Sequence, residues 1–157
     1  MNNSRNETNR SYSRIVRLNR IFINSGLKTV GLSSGTYPFI MELYEKNGLS
    51  LNELSSSVCV DSSYTTRTLD KLIRLKLVEK KTNQKDLRAL QIYLTEKGKK
   101  TVAKIKDLLD QWTNIIFEDF TEEEVASYAK LLDKAHANAS KYFINSDKYA
   151  DNGEIDE

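Results

Sequence analysis

Apolar residues recur at helical spacing from about Arg10 to Leu27, where Tyr12, Ile15, Val16, Leu18, Ile21, Phe22 and Ile23 form a wide face opposite Arg14, Arg17 and Arg20. The Asn-rich residues 1–8 before it lack any periodicity and read as a flexible arm. "NSGLKTVGLSSG" breaks the pattern with Gly26, Gly31 and Gly35, and a second helix follows in "YPFIMELYEKNG". Ser33 or Ser34 is the expected N-cap there, Pro38 is tolerable near a helix start, and Asn47 with Gly48 supplies left-handed closing chemistry. "SLNE" opens a third, short helix, with Ser50 as cap and Glu53 as its capping-box partner, ending near Val58. "VDSSYTTRTLDKLIRLKL" restarts at once with Asp61 as N-cap and Leu69, Leu72, Ile73 and Leu77 facing inward. Two helices separated by so short a turn form a candidate helix-turn-helix.

The period then changes from helical to alternating. In "LVEKKTNQKDLRALQIYLT", Val78 leads a strand, Thr82 to Lys85 form a polar turn, and Leu90, Ile92 and Leu94 alternate with Ala89, Gln91 and Tyr93. This predicts a two-stranded hairpin with a basic tip. Thr95 caps a long helix carrying Val102, Ile105, Leu108, Leu109, Trp112, Ile115 and Ile116 in one stripe. A second capping box at Thr121 to Glu124 opens a last helix with Val125, Tyr128, Leu131, Leu132, Ala135, Tyr142 and Phe143. The fold class is mainly α with a small β-hairpin.

Charge changes the picture because it is unevenly spread. Residues 61–104 hold twelve Lys and Arg against five Asp and Glu, whereas residues 105–157 hold five against thirteen. A basic middle beside an acidic final third points to a polyanion-binding surface on a scaffold that binds none; ordinary solvated faces are the alternative. At 157 residues and 39% apolar content the chain supports one domain. It has no apolar run approaching the roughly 18 residues of a membrane span, so the expectation is a cytoplasmic protein with no membrane partner. One His, one Cys and no glycine-rich phosphate loop argue against an enzyme, a metal centre or a cofactor. Cys59, between Val58 and Val60, reads as a buried inert thiol, His136 as a packing or hydrogen-bonding residue, and Trp112, Tyr128 and Tyr142 as core or dimer contacts.

The order of elements describes a winged helix held between terminal helices. Two pieces in register carry a family resemblance: "VDSSYTTRTLDKL", and a hairpin with Asp86 and Arg88 running into Leu94, Thr95 and Gly98. On these the chain resembles the MarR family of bacterial transcriptional regulators, closely over about 31–101 and by pattern in the flanking helices. The resemblance implies a winged helix-turn-helix (32–98) flanked by dimerisation helices (10–27 and 99–145), one MarR-like domain over 9–146, and an acidic tail (147–157). It implies a homodimer on a near-palindromic double-stranded DNA operator, most simply a repressor, with a small effector binding between the dimer helices and the winged helix. Two positions depart from the family pattern. Lys76 stands where a glycine usually ends the recognition helix, so either Lys76 is left-handed or the turn differs, and Leu87 stands where a charged residue is frequent.

The residues themselves support a DNA-binding reading. Ser62, Ser63, Thr66 and Arg67 lie near the start of the fourth helix, where short hydroxyls let it approach a major groove and an arginine can fork onto guanine. Tyr64 either reads a base or packs on the helix-turn-helix. Lys71, Arg74, Lys80, Lys81 and Lys85 suit phosphates. Arg88, steadied by Asp86, resembles the family's minor-groove arginine, although the two could be no more than a hairpin ion pair. A winged helix that binds protein instead of DNA remains the other reading at this point.

Overall fold

Hydrogen bonds between near neighbours set most element boundaries in the computed structural model, which describes residues 2–82 and 90–144. Ser50 caps α3 (Leu51–Val58) through a capping box, its hydroxyl accepting from the Glu53 N–H while Glu53 accepts from the Ser50 N–H. The Asp61 carboxylate accepts from the Tyr64 N–H at 2.7 Å to start α4 (Ser62–Arg74). The Thr95 hydroxyl does the same for Gly98 at the start of α5 (Glu96–Ile116). Thr121 and Glu124 form the second box, at the head of α6 (Glu122–Ile144). All four starts agree with the sequence reading.

Two other starts differ. α1 runs Asn2–Leu27, so the residues expected as a flexible arm continue the helix. Nothing between Asn2 and Arg10 breaks helical geometry, as no Gly or Pro occurs there. α2 (Tyr37–Glu45) follows Thr36, and neither Ser33 nor Ser34 caps it. Instead the Thr36 hydroxyl accepts from the Ser33 N–H at 2.8 Å, and the Ser34 N–H donates to Asn24 of α1.

Three helix ends share one closing motif. The N–H groups of Gly31 and Leu32 bond back to Lys28 and Leu27, those of Cys59 and Val60 to Ser56 and Ser55, and those of Lys76 and Leu77 to Ile73 and Leu72. Each is a Schellman closure around one left-handed residue. That residue is Gly31 (φ 74°) in the first case but Cys59 (φ 59°) and Lys76 (φ 60°) in the others. Lys76 therefore takes the left-handed alternative. Cys59, expected to be a buried thiol, is instead exposed, and its own left-handed conformation at the end of α3 sets it apart from the half-buried Val58 and Val60.

β1 (Val78–Thr82) and β2 (Leu90–Leu94) pair antiparallel, from Val78 opposite Leu94 to Thr82 opposite Leu90. Thr82 thus belongs to the strand, and the rest of the expected turn lies outside the described residues. Leu49 bridges to Ile92, and the Asn47 side chain accepts from the Leu94 N–H at 2.9 Å, so the segment after α2 acts as a third strip of the sheet. Gly48 is left-handed (φ 84°), but it does not close α2 as expected: the helix ends on Lys46 in an extended conformation, and the Gly48 N–H donates to the Ile92 carbonyl of the sheet. Ile92 and Leu94 are buried, but Leu90, paired with Thr82 at the other end of the ribbon, is exposed.

The core joins Ile23 and Leu27 of α1, Phe39, Ile40 and Leu43 of α2, Leu54 of α3, Leu69 and Leu72 of α4, and Ile105 of α5, each almost completely buried. The "LTEKG" stretch locks α5 onto it. Thr95 donates its N–H to the Leu77 carbonyl at 3.0 Å and its hydroxyl to that of Lys76 at 2.7 Å. A Cβ on Gly98 would overlap the Leu77 carbonyl, so the close approach requires glycine. α1 and α5 run antiparallel: Lys104 donates to the Thr29 hydroxyl at 2.5 Å, Gly26 lies against Leu108, and the Phe22 and Trp112 rings are 5.5 Å apart.

Candidate nucleic-acid interface

α4 divides into two faces for a reason its sequence makes plain. Thr65, Thr68, Leu69 and Leu72 are buried at helical spacing, and the Thr65 hydroxyl is satisfied by donating to the Asp61 carbonyl at 2.8 Å. Ser62, Ser63, Thr66, Arg67, Asp70 and Arg74 are therefore turned to solvent, with Lys71 at the margin and half-buried. Ser62, Ser63, Thr66 and Arg67 stand together on the first two turns, as the sequence reading placed them. The Thr66 hydroxyl donates to the Ser62 carbonyl at 2.8 Å. Its proton is thereby committed, and the oxygen is presented outward as an acceptor.

Tyr64 takes the packing alternative that the sequence left open. Its ring lies 6.3 Å from that of Phe39, and its hydroxyl donates to the Gly35 carbonyl at 3.2 Å. A half-buried side chain with its polar end engaged 29 residues away is a brace between α4 and the loop before α2. The packing alternative raised above is the one adopted.

The wing departs from expectation in a second way. Lys80 and Lys81, both assigned phosphates, have acidic neighbours in the chain: Lys80 lies 3.9 Å from Asp70 of α4, and Lys81 lies 2.8 Å from Glu79. The hydrogen bond and charge of Glu79 raise the Lys81 pKa above its ordinary value, and the ammonium also sits 5.4 Å from the centre of the Tyr93 ring. Both lysines remain exposed and keep donors for a polyanion. Such exposed pairs are worth about 0 to 1 kcal/mol and dissolve easily when a phosphate offers more. Lys85, Asp86, Leu87 and Arg88 lie outside the described residues.

Asp70 is the residue sequence reasoning missed. It lies in line with Ser63, Thr66 and Arg67 on the exposed face of α4, and through Lys80 it ties that helix to β1. The signal was present, since Asp70 stands three residues after Arg67 and four before Arg74, but attention to basic residues passed over the one carboxylate among them.

Elsewhere the described residues hold no cluster of His, Cys, Asp and Glu able to bind a metal, and no helix among them is long and apolar enough to cross a membrane. His136 lies 3.4 Å from the Ser140 hydroxyl on α6. Trp112 packs on Phe22, and Tyr128 on Phe117 and Phe120, as contacts of the kind expected. Tyr142 is exposed.

Comparison with known proteins agrees with this geometry. The family model for the transcriptional regulators SarA and Rot matches residues 21–105, more than half of the chain. The HTH-type transcriptional regulator BilQ of Clostridioides difficile is 31% identical over 113 residues, covering 72% of this chain and 76% of BilQ. Among solved structures, a MarR transcriptional regulator from Methanosarcina mazei superposes with a TM-score of 0.80 at 28% identity, over 87% of this chain and 99% of that one. The regulator SlyA shares the fold, with a TM-score of 0.81 at 21% identity over 87% of this chain and 97% of its own.

Proposed function

The chain belongs to the SarA/Rot family of MarR-type winged-helix transcriptional regulators, and we propose that it works as a homodimeric, sequence-specific repressor in the cytoplasm, reading a near-palindromic operator with α4. One observation carries this reading: the exposed face at the start of α4 presents Arg67 with only the short side chains of Ser62, Ser63 and Thr66 around it, on a helix braced from behind by Tyr64 and Leu69. Small hydroxyl residues permit close approach to base edges, and an arginine fork matches the O6 and N7 acceptors of guanine. Lys71, Arg74, Lys80 and Lys81 surround that face as phosphate partners that hold register; by the family resemblance Lys85 adds a further phosphate contact, and Arg88, steadied by Asp86, enters the minor groove.

The exposed apolar side chains of the terminal helices support the homodimer. Tyr12, Ile15, Val16 and Leu18 on α1 and Leu131 and Leu132 on α6 are exposed and stand outside the core formed by the described residues. A twofold axis through these helices would set two α4 helices about one turn of DNA apart, roughly 34 Å. A small effector seated between the terminal helices and the winged helix would regulate binding by changing that separation, since both helices must meet successive grooves together.

The experiment is selection of binding sites from random DNA followed by titration of variants. Arg67→Ala is expected to cost on the order of 1 to 3 kcal/mol per half-site on the selected operator and to relax preference at one base pair. Lys71→Ala is expected to weaken all sequences alike and to flatten the salt dependence by about one unit per half-site. An equal loss for Arg67→Ala on every sequence would make it a phosphate ligand and remove the base-reading role.

A further inference from the structure

The first half of α1 carries a charge pattern that the DNA-binding reading does not use. Arg10, Arg14 and Arg17 follow one another at helical spacing, line a shallow groove with Asn9 and Ser13, and lead on the same line to Ile21, which is 66% exposed. All three arginines are exposed, and none forms an ion pair with a described residue of its own chain. Three like charges in a row repel one another, so a bare stripe is a cost unless something neutralises it.

The matching charge lies at the same height in the fold. α1 and α5 pack antiparallel, with Thr29 beside Lys104, Gly26 beside Leu108 and Phe22 beside Trp112. Every four residues towards the start of α1 correspond to four towards the end of α5. Continued, that register brings Arg17, Arg14 and Arg10 level with the end of α5 and the turn into α6. The turn and the first residues of α6 hold Glu118, Asp119, Glu122, Glu123 and Glu124, all exposed, beside the edge-to-face rings of Phe117, Phe120 and Tyr128. Glu124 is engaged in the capping box with Thr121, and the other four form no ion pair with a described residue.

We propose that the arginine stripe of α1 docks on the acidic turn 118–124 of a second copy of this chain, reciprocally across the twofold axis. The proposal rests on the homodimer reading and adds what orients it. Exposed Ile21 and Leu18 beside the stripe supply apolar contact, and the charges supply register and partner choice. A nucleic acid is the poorer occupant, because the carboxylates at the same level would repel its phosphates. Each twofold-related dimer would contain the contact twice, so a modest gain per pair is doubled.

A charge-swap pair tests this. In one variant Arg10, Arg14 and Arg17 are all changed to Glu; in the other Glu118, Asp119, Glu122 and Glu123 are all changed to Lys, leaving the Glu124 cap intact. Sedimentation equilibrium of the full chain is expected to show each homodimer weakened on the order of tenfold or more in low salt, with the difference shrinking towards 1 M salt, roughly where screening cuts the Debye length to 3 Å. Mixed together, the two variants are expected to form heterodimers in preference to either homodimer, seen by native mass spectrometry, because only the heterodimer restores both contacts. A milder set, Arg10→Gln with Arg14→Gln and Arg17→Gln, is expected to fall between wild type and the Glu set, with an unchanged circular dichroism spectrum. Reversed variants that dimerise as the wild type does, or that weaken without any heterodimer preference, would overturn the docking while leaving the homodimer in place. An arginine-reversed dimer of normal affinity that has lost DNA binding on every sequence would make the stripe a nucleic-acid arm instead. A wild-type chain that sediments as a folded monomer would overturn both readings together.

Discussion

The winged-helix body and the terminal helices use apolar residues in opposite ways. In the body, Phe39, Ile40, Leu43, Leu54, Leu69 and Leu72 are fully buried within one chain. On the terminal helices, Ile21 and Leu131 are 66% and 67% exposed although they sit in equally regular helical patterns. Among the described residues the body buries its own apolar side chains, whereas those of Ile21 and Leu131 remain exposed, the face the proposed homodimer would use. Helical periodicity alone cannot tell these cases apart, because it reports that a face is apolar and not what covers it.

The strongest way to break this comparison is a pair of equivalent truncations. Leu69→Ala removes a side chain from a closed core and is expected to destabilise the fold by about 3 to 5 kcal/mol at every protein concentration. Leu131→Ala is expected to leave the unfolding of a single chain within about 0.5 kcal/mol of wild type. Its effect should emerge only as concentration rises, through weakened association. Urea unfolding at two concentrations tenfold or more apart reads both. A concentration-independent loss at Leu131 as large as that at Leu69 would erase the distinction between the two regions.

What was legible in the sequence follows the same division between near and distant causes. The capping residues Ser50, Asp61, Thr95 and Thr121 were readable because each acts on an N–H three residues away. The resemblance carried by "LTEKG" gains its physical reason only in three dimensions, where Thr95 and Gly98 both meet the Leu77 carbonyl. Tyr64 stayed open between base reading and packing because its partner Gly35 lies 29 residues away, and no local pattern records that bond. Cys59 was expected to be buried from its valine neighbours, but a left-handed residue breaks the inference from neighbours to burial. Lys80 and Lys81 were counted as bare charges because Asp70 and Glu79 become their neighbours only when α4 packs on β1 or a strand extends.

A smaller effect sharpens the view of the body as locally specified. Three Schellman closures differ only in the left-handed residue, so Lys76→Gly should relieve a strain that Gly31 does not carry. Left-handed geometry costs a residue with a Cβ roughly 1 to 2 kcal/mol, and part of the relief is returned through the greater freedom of glycine in the unfolded chain. The expected net gain for Lys76→Gly is about 0.5 to 1 kcal/mol by thermal unfolding. Gly31→Ala should move the other way by about 1 kcal/mol or more, since its added Cβ also meets the Leu75 side chain at 3.0 Å. A loss of stability for Lys76→Gly would mean that the lysine side chain contributes more than its backbone costs.

The smallest effect concerns Glu53, whose capping role is the most local feature of the body. The Ser50 N–H, then the Ser50 hydroxyl, and then Lys46 at 3.5 Å hold its carboxyl below the ordinary carboxylate pKa. A folded-state pKa below the unfolded value means that the unfolded chain binds the proton first. The stabilisation is therefore present above the unfolded carboxylate pKa and is lost as pH falls through the folded value. Glu53→Gln keeps the reach to the Ser50 N–H but has no proton to gain, so its melting temperature should lie slightly below wild type at pH 7 and the gap should close between about pH 5 and 3. Glu53→Ala should leave a gap that narrows yet persists in acid, because it removes the hydrogen bond as well as the charge. If the wild-type and Gln proteins instead track each other at all pH values, the cap works through its hydrogen bond alone, and the charge on Glu53 adds nothing to the turn that launches α3.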